Sequence, residues 1–481
     1  MFKTSIAYFA IRALNGVLGL ATVFILTRLM SAAQYGAYAL SMATIGLCAS
    51  IFYQWIAVTI ARFYSIYAKD PAVLIAEGNK LFFRVSLCVF FAIAVYISFA
   101  EMETQKIWLT VAIAVSVVAT GLHNLGLQIA NASGRPANYG LLSITRGAFT
   151  LCAAVGLVQL GYGSTGAVFG FAVGGVLSVA IFRVKRPKFT EKSNKTLRKE
   201  MMVYGLPLTL TYVSTMILDV SDRFMIGWWL GTPAVAGYAA AYDLTQQVIG
   251  AIMNVLFLAS YPRITAAWET GGVSAARDAM SPLSRAILLA SPLLSGIFIG
   301  GATEISNAAF GKAIASEAAK VIPWTAFAIT VACFKSYYLD VAFQLEKATK
   351  TQLYITACMA ILNILLNLFL INRYGILGAA ISTAAAFTFG AMLSWQCGRK
   401  LNLYSSRMLD LAKLLIIFFF ILIATSFLPT TSFSNVFNAA ISVTVGVVSY
   451  TIGILIFNPM NIRSAAIRQA LVLMRNKIAK H

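Results

Sequence analysis

Apolar runs of about twenty residues recur along the whole chain, each long enough to cross a hydrocarbon layer of about 30 Å. A backbone inside such a layer finds no water to bond, so only helices or a closed barrel can satisfy its amides. The short alternating segments of a barrel are absent. The pattern therefore predicts an all-α integral membrane protein with about fourteen transmembrane helices. Their cores fall at 5–27, 37–61, 81–100, 107–131, 139–160, 164–182, 203–227, 235–260, 283–302, 321–343, 352–371, 376–397, 411–428 and 436–457. The first run is too long for a signal-peptide core and reads as a retained span.

Composition agrees. Of 481 residues 59% are hydrophobic and 11% charged, against about 25% charged in globular domains. A soluble protein with a net charge of +21 would point to nucleic acid. Here most cations lie between spans, where they act as topology signals, and no nucleic-acid partner is expected. Basic residues crowd alternate connections, such as Arg62, Lys69, Lys80 and Arg84, or Arg399, Lys400, Arg407 and Lys413. The opposite set holds only Arg28, Lys106, Lys312, Lys320 and Arg373. That asymmetry predicts both termini on the cytoplasmic side of the membrane. The six cysteines fall in apolar segments with no metal-ligand or CxxC spacing, and read as buried and reduced. No cofactor is expected.

A duplication organises the spans. Tyr162, Gly163, Gly166 and Ala167 recur as Tyr374, Gly375, Gly378 and Ala379, each 212 positions further on, 374 against 162. Gly134 and Arg135 fall opposite Glu346 and Lys347 at the same offset, and Tyr38 is echoed by Tyr238. Repeats of spanning helices build the two halves of many transporters around a central site. The expected organisation is a six-helix lobe over 1–182, a basic cytoplasmic linker over 183–200 and a second six-helix lobe over 201–400. Two appended helices over 401–460 and a basic tail over 461–481 follow. The linker and the tail also carry enough cations to meet anionic lipid.

A charge at the bilayer centre costs on the order of 2.5–3.5 kcal/mol even on the lenient insertion scale, so intramembrane charges are the first site candidates. Arg12 sits within a stripe of Ser5, Tyr8, Asn15 and Gly19, spaced to share one helical face. Asp219 and Arg223 are four apart and can pair, with Asp222 beside them and Asp243 in the next span. Arg146 belongs either to the fifth span or to its cytoplasmic end. Lys335 and Asp340 are five apart, a poor α-helical spacing for pairing, which leaves Lys335 to meet a ligand. His123 reads as a hydrogen-bonded core residue before a proton relay, and Pro292 as a kink. No phosphate loop, DxD pair, GxSxG elbow or HExxH helix is present, so a secondary transporter or flippase is expected rather than an enzyme.

Several stretches resemble the polysaccharide transporters, the Wzx-type O-antigen and exopolysaccharide flippases of the MOP superfamily. They are Asp222-Arg223-Phe224-Met225-Ile226-Gly227 with Val235-Ala236-Gly237-Tyr238, Arg28-Leu29 with Gln34-Tyr35-Gly36-Ala37-Tyr38, and Ala61-Arg62-Phe63-Tyr64. Asn363 through Asn367 with Arg373-Tyr374-Gly375-Ile376-Leu377-Gly378 completes the set. The resemblance implies two six-helix lobes in a V, opening alternately around a cationic cavity that accepts undecaprenyl-pyrophosphate-linked oligosaccharide. It implies Arg12, Arg62 and Arg223 as cavity cations, to which the residues themselves add Arg146 and Lys335. Asp219, Asp222, Asp243 and Asp340 are the gating or ion-coupling candidates. Fourteen spans exceed the twelve usual in Wzx proteins and are similar to the lipid II branch, which leaves the substrate open. A MATE-like cation or drug antiporter and a non-transporting assembly scaffold are the rivals. Membrane lipids, a polysaccharide polymerase and glycosyltransferases are the expected partners.

Overall fold

The computed structural model describes residues 2–67, 69–134, 136–181, 194–401, 403–404, 408–428 and 434–461. Among these the regular structure is all helical. In chain order come α1 (Phe2–Leu29), α2 (Ala32–Phe52), α3 (Gln54–Phe63), α4 (Pro71–Phe99), α5 (Thr104–Ala132), α6 (Pro136–Leu157), α7 (Gly163–Ile181), α8 (Lys195–Leu230) and α9 (Thr232–Thr245). There follow α10 (Ala251–Gly300), α11 (Ala302–Ala309), α12 (Lys312–Phe334), α13 (Val341–Leu345), α14 (Thr349–Tyr374), α15 (Ile376–Gly398), α16 (Met408–Ser426) and α17 (Asn435–Phe457). Ten stretches of the described residues are long and apolar enough to cross a membrane, and two of them, Ala137–Ile181 and Thr232–Gly300, are broken at Gly161 and Gly272 and long enough for two crossings each. With α1 and α16 the fourteen expected spans are accounted for. Most of the linker (182–193) and almost all of the tail (462–481) lie outside the described residues.

The chain forms two compact units. The first comprises Met1–Ala240, Phe310–Ile314 and Thr356–Ser382, the second Ala241–Ala309, Ala315–Ile355 and Thr383–His481. In the first, glycines let helix backbones touch, as close packing within lipid favours. Gly170 and Gly174 of α7 lie against the backbone of α6 at Ala154 and Arg146, and Gly36 of α2 lies against the Thr232 carbonyl. The expected single span 37–61 is instead two helices. Tyr53 interrupts it (φ −124, ψ −25), with its ring packed on Gly121 and its hydroxyl 3.0 Å from Ser86 Oγ. Hydropathy does not register such a break, because both pieces are equally apolar.

The duplicated tetrad is a duplicated turn. Gly163 (φ 50) and Gly375 (φ 59) both take the left-handed conformation that glycine favours, and each precedes the body of a new helix. Two glycines then allow the new helix to fold back on its predecessor, Gly166 against Leu157 and Tyr162, Gly378 against the Leu370 carbonyl. In the upstream polar turns the left-handed residues are Gly134 (φ 67) and Lys347 (φ 58). The conformational match is thus one residue out of the sequence register, and Arg135 lies outside the described residues.

In the second unit α10 breaks at Gly272 (φ 64, ψ −150) and not at Pro292, which is buried within continuous helix. The appended helices α16 and α17 close over α10 and α11. Ile297, Leu414, Ile417 and Ile421 form their core, with Gly296 against Ile421 and Gly301 against Ser442. All six cysteines are free, but only Cys333 is buried, and Cys88, Cys152 and Cys397 are exposed. An apolar span hides a residue from water without hiding it from lipid, so hydropathy could not separate the two.

Gly375 has room for a methyl group, its nearest neighbour being Leu230 Cδ1 at 3.8 Å, so Gly375→Ala isolates backbone strain. It is expected to cost about 1 kcal/mol and to lower the melting temperature in detergent. Gly156→Ala, in open helical surroundings, is expected to leave it unchanged or raise it.

Candidate functional site

In the first unit a buried polar chain joins α8, α9 and α14. Asp222, 2% exposed, accepts hydrogen bonds from Tyr238 Oη and Asn367 Nδ2. Asn367 Nδ2 also donates to Asn363 Oδ1 at 3.2 Å, which Ser221 Oγ approaches at 3.3 Å. Asn363 and Asn367, four apart on α14, share a face. Their amides supply neutral dipoles, so the hydrogen bonds stabilise the carboxylate without cancelling its charge. Asn367 Oδ1 is buried with no hydrogen-bond partner, an acceptor left beside an acidic group. Arg223, 8% exposed, follows Asp222 on α8, and Asp219 lies within electrostatic reach of both.

The second unit pairs what the spacing kept apart. Lys335 Nζ donates to Asp340 Oδ2 at 2.7 Å, with both side chains buried. The reason is local: 335–339 is a π-turn, and Asp340 N bonds to Lys335 O at 2.8 Å. That i→i+5 register brings residues five apart onto one face. Lys335 is therefore not left to meet a ligand, a correction that α-helical geometry could not supply. Ser394 Oγ donates to Asp340 Oδ1 at 2.7 Å. Tyr404 Oη donates to Leu339 O at 2.8 Å. Burial, and after it the Asp340 carboxylate, push the Tyr404 phenol up, so the donor keeps its proton.

A third cluster was not anticipated from the sequence. Glu77, 1% exposed, accepts from Lys80 Nζ at 3.0 Å and Asn194 N at 3.1 Å on Oε1, and from Arg198 Nε at 3.0 Å and Nη2 at 2.9 Å on Oε2. Asn194 also caps α8, its side chain accepting from Leu197 N at 3.0 Å. Glu77 thus anchors the start of α8 to α4. The only signal in the sequence was an acid three residues before Lys80 at the edge of an apolar run.

The remaining candidates are dispersed. Arg146 sits in the middle of α6, its Nη2 donating to Thr120 Oγ1 at 3.1 Å and its guanidinium carbon 4.5 Å from the Phe171 ring centroid. It packs among α5, α6 and α7 rather than at a helix end. Arg62 is exposed in the last turn of α3. Arg12 lies on α1, and its side chain is outside the described residues; its stripe-mate Asn15 donates to Ser143 Oγ of α6. Asp243 belongs to the second unit. His123 Nδ1 is 2.8 Å from Ser178 Oγ, whose proton goes to Gly175 O at 2.8 Å, so the ring donates and acts as a packed core residue.

A family model described as "Polysaccharide biosynthesis protein" matches residues 1–268. The chain belongs to that family. Among curated relatives, this polysaccharide biosynthesis protein is 25% identical over 215 residues to "Uncharacterized membrane protein MJ1068" of Methanocaldococcus jannaschii, covering 44% of this chain and 41% of that one. It is 25% identical over 177 residues to "Probable flippase AglR" of Haloferax volcanii, covering 36% of each. The alignments thus span less than half the length of these two relatives. Among solved structures, a lipid II flippase MurJ in an inward closed conformation matches with TM-score 0.72 and 16% identity over 97% of this chain and 100% of the other. An inward-facing multidrug resistance MATE family transporter of the MOP superfamily matches with TM-score 0.65 and 14% identity over 84% and 100%. The fold is the one these two solved membrane transporters share.

Removing one member of a buried ion pair leaves the other charge uncompensated, at a cost of about 3–5 kcal/mol. Lys335→Met or Asp340→Leu alone should destabilise the family member by that order, and the double variant should recover most of the loss in thermal melts. Glu77→Gln removes the charge that gathers Lys80 and Arg198. Limited proteolysis near Asn194 should then be faster than in the wild type.

Proposed function

We propose that this chain is a flippase for undecaprenyl-pyrophosphate-linked oligosaccharide, moving it from the inner to the outer leaflet of the bacterial cytoplasmic membrane by alternating access. The observation that carries the reading is a polysaccharide-family sequence on a fold shared along nearly its whole length with a lipid II flippase. The similarity to AglR adds a probable flippase among its relatives. In this reading the lobes 1–182 and 201–400 rearrange about a wet cavity, with both termini in the cytoplasm. Glycosyltransferases supply the glycan and a polymerase consumes it.

The chemistry of the cargo sets the requirements. A pyrophosphate needs fixed cations in water, while its polyprenyl chain stays in lipid. Arg12, Arg62 and Arg223 are assigned that role, with Arg146 supporting the helix core and Lys335 neutralised by Asp340. The Asp222 carboxylate, held by dipoles beside the open Asn367 oxygen, is assigned gating or ion coupling, with Asp219 tuning it. Outward movement of an anionic head is favoured by about 2.3 kcal/mol per charge per 100 mV of inside-negative potential.

In proteoliposomes, Arg223→Gln and Arg62→Gln should each slow transport of lipid-linked oligosaccharide by at least about tenfold, roughly 1.4 kcal/mol, whereas the exposed Arg84→Gln should not. An imposed inside-negative potential should accelerate the wild type. Transport indifferent to the arginines, with cation or drug efflux abolished by Asp222→Asn, would instead identify an exporter.

A further inference from the structure

One cavity lies away from every charged cluster described above. It has a volume of about 760 Å³, and Gln34, Gln105, Trp108, Tyr162, Ser164 and Thr165 supply its polar and aromatic rim. Leu157, Phe169 and Val173 form an apolar floor. All of these residues belong to the first unit. They come from the start of α2, the start of α5 and the turn from α6 to α7, three connections that the positive-inside asymmetry puts together on the outer side of the membrane.

The chemistry of the rim is specific in what it contains. Its polar groups are two amides, the hydroxyls of Ser164, Thr165 and Tyr162, each able both to donate and to accept, and the Trp108 indole N–H, a donor, and no lysine or arginine lines the cavity. Such a surface has nothing to neutralise a phosphate. It does match vicinal hydroxyls, which also donate and accept at once. Trp108 and Tyr162 are 56% and 62% exposed, and an aromatic face carries negative charge density that attracts the polarised C–H groups of a pyranose ring.

The backbone keeps this space open. Gly161 (φ 91) and Gly163 (φ 50) form the wall at the turn. Gln34 Oε1 accepts from Ser31 N at 3.1 Å in the capping box of α2, which fixes the amide. A Cβ built on Gly163 would stand 2.9 Å from its Nε2, so a side chain there would crowd the Gln34 amide at the rim. Aromatic residues at a membrane interface are commonly simple anchors. Two pre-oriented or exposed amides and the hydroxyls of Ser164 and Thr165 around a cavity go beyond what anchoring requires.

We propose that this cavity is a binding site for neutral sugar rings, holding the glycan of the cargo at the outer mouth while its pyrophosphate is handled elsewhere. The proposal rests on the flippase reading for its biological meaning but not for its test. Saturation-transfer NMR of the full-length chain in nanodiscs, with neutral hexose and N-acetylhexosamine tetrasaccharides as probes, reads sugar binding directly.

Magnetisation transfer to at least one probe is expected in the wild type. Trp108→Ala, Tyr162→Ala and Gln105→Ala should each weaken the interaction by about tenfold, while Trp108→Phe should retain most of it and the exposed Arg84→Gln should leave it unchanged. Using several single variants covers the case in which one fails to fold. No transfer to any probe, transfer that survives all three alanine variants, or displacement of the sugar by a single-chain alkyl phosphate would overturn the proposal. Translocation of lipid-linked oligosaccharide measured in parallel separates the two ideas. Translocation without sugar binding removes the sugar site alone, and sugar binding without translocation removes the flippase reading alone.

Discussion

An ionised side chain inside a hydrocarbon layer persists only if charges or dipoles of the protein replace the water it lost. Buried charges of this molecule meet that demand in different ways, both within the spans and at their ends. Lys335 and Asp340 cancel each other within one turn, leaving a neutral unit with little to gain from a ligand or a field. Glu77 draws Lys80, Arg198 and a backbone amide onto one carboxylate and fixes where α8 starts. Asp222 accepts from a phenol and an amide, with Arg223 next to it on α8.

Irregular backbone appears where the spans must do something a straight helix cannot. The π-turn at 335–339 makes the buried ion pair possible. Another, at 158–162, leads into the turn whose glycines line the α6–α7 cavity, and a third interrupts the run from α9 to α10 at 246–250. Such turns are rare and concentrate at functional positions. Gly163 and Gly375 both take a positive φ at matching places in the repeated pattern, but only the first is preceded by a π-turn and a second positive-φ glycine, Gly161.

Much of this architecture was legible in the sequence because lipid imposes a simple code. Fourteen apolar runs were enough for the fold, and the family was legible in stretches such as Asp222–Gly227 and Gln34–Tyr38, which resemble its members. Legibility failed wherever a result depended on departure from the ideal helix. The break at Tyr53, the bend at Gly272 instead of Pro292, and the pairing of Lys335 with Asp340 all lie below the resolution of hydropathy and 3.6-residue spacing. Asn363 and Asn367 were visible as a motif, but their partner Asp222 lies 145 residues from Asn367, a separation that no local pattern spans. Glu77 was overlooked because its counter-charges come partly from beyond the linker.

The central claim is that this polypeptide by itself carries a glycolipid head across a bilayer. Its most direct measurement is the accessibility of lipid-linked oligosaccharide to an impermeant glycan-cleaving enzyme added outside vesicles reconstituted with the purified chain alone. The account predicts that oligosaccharide initially confined to the inner leaflet becomes cleavable over time in protein-containing vesicles and stays protected in protein-free ones. Equal protection in both, with the chain folded and inserted, would contradict it.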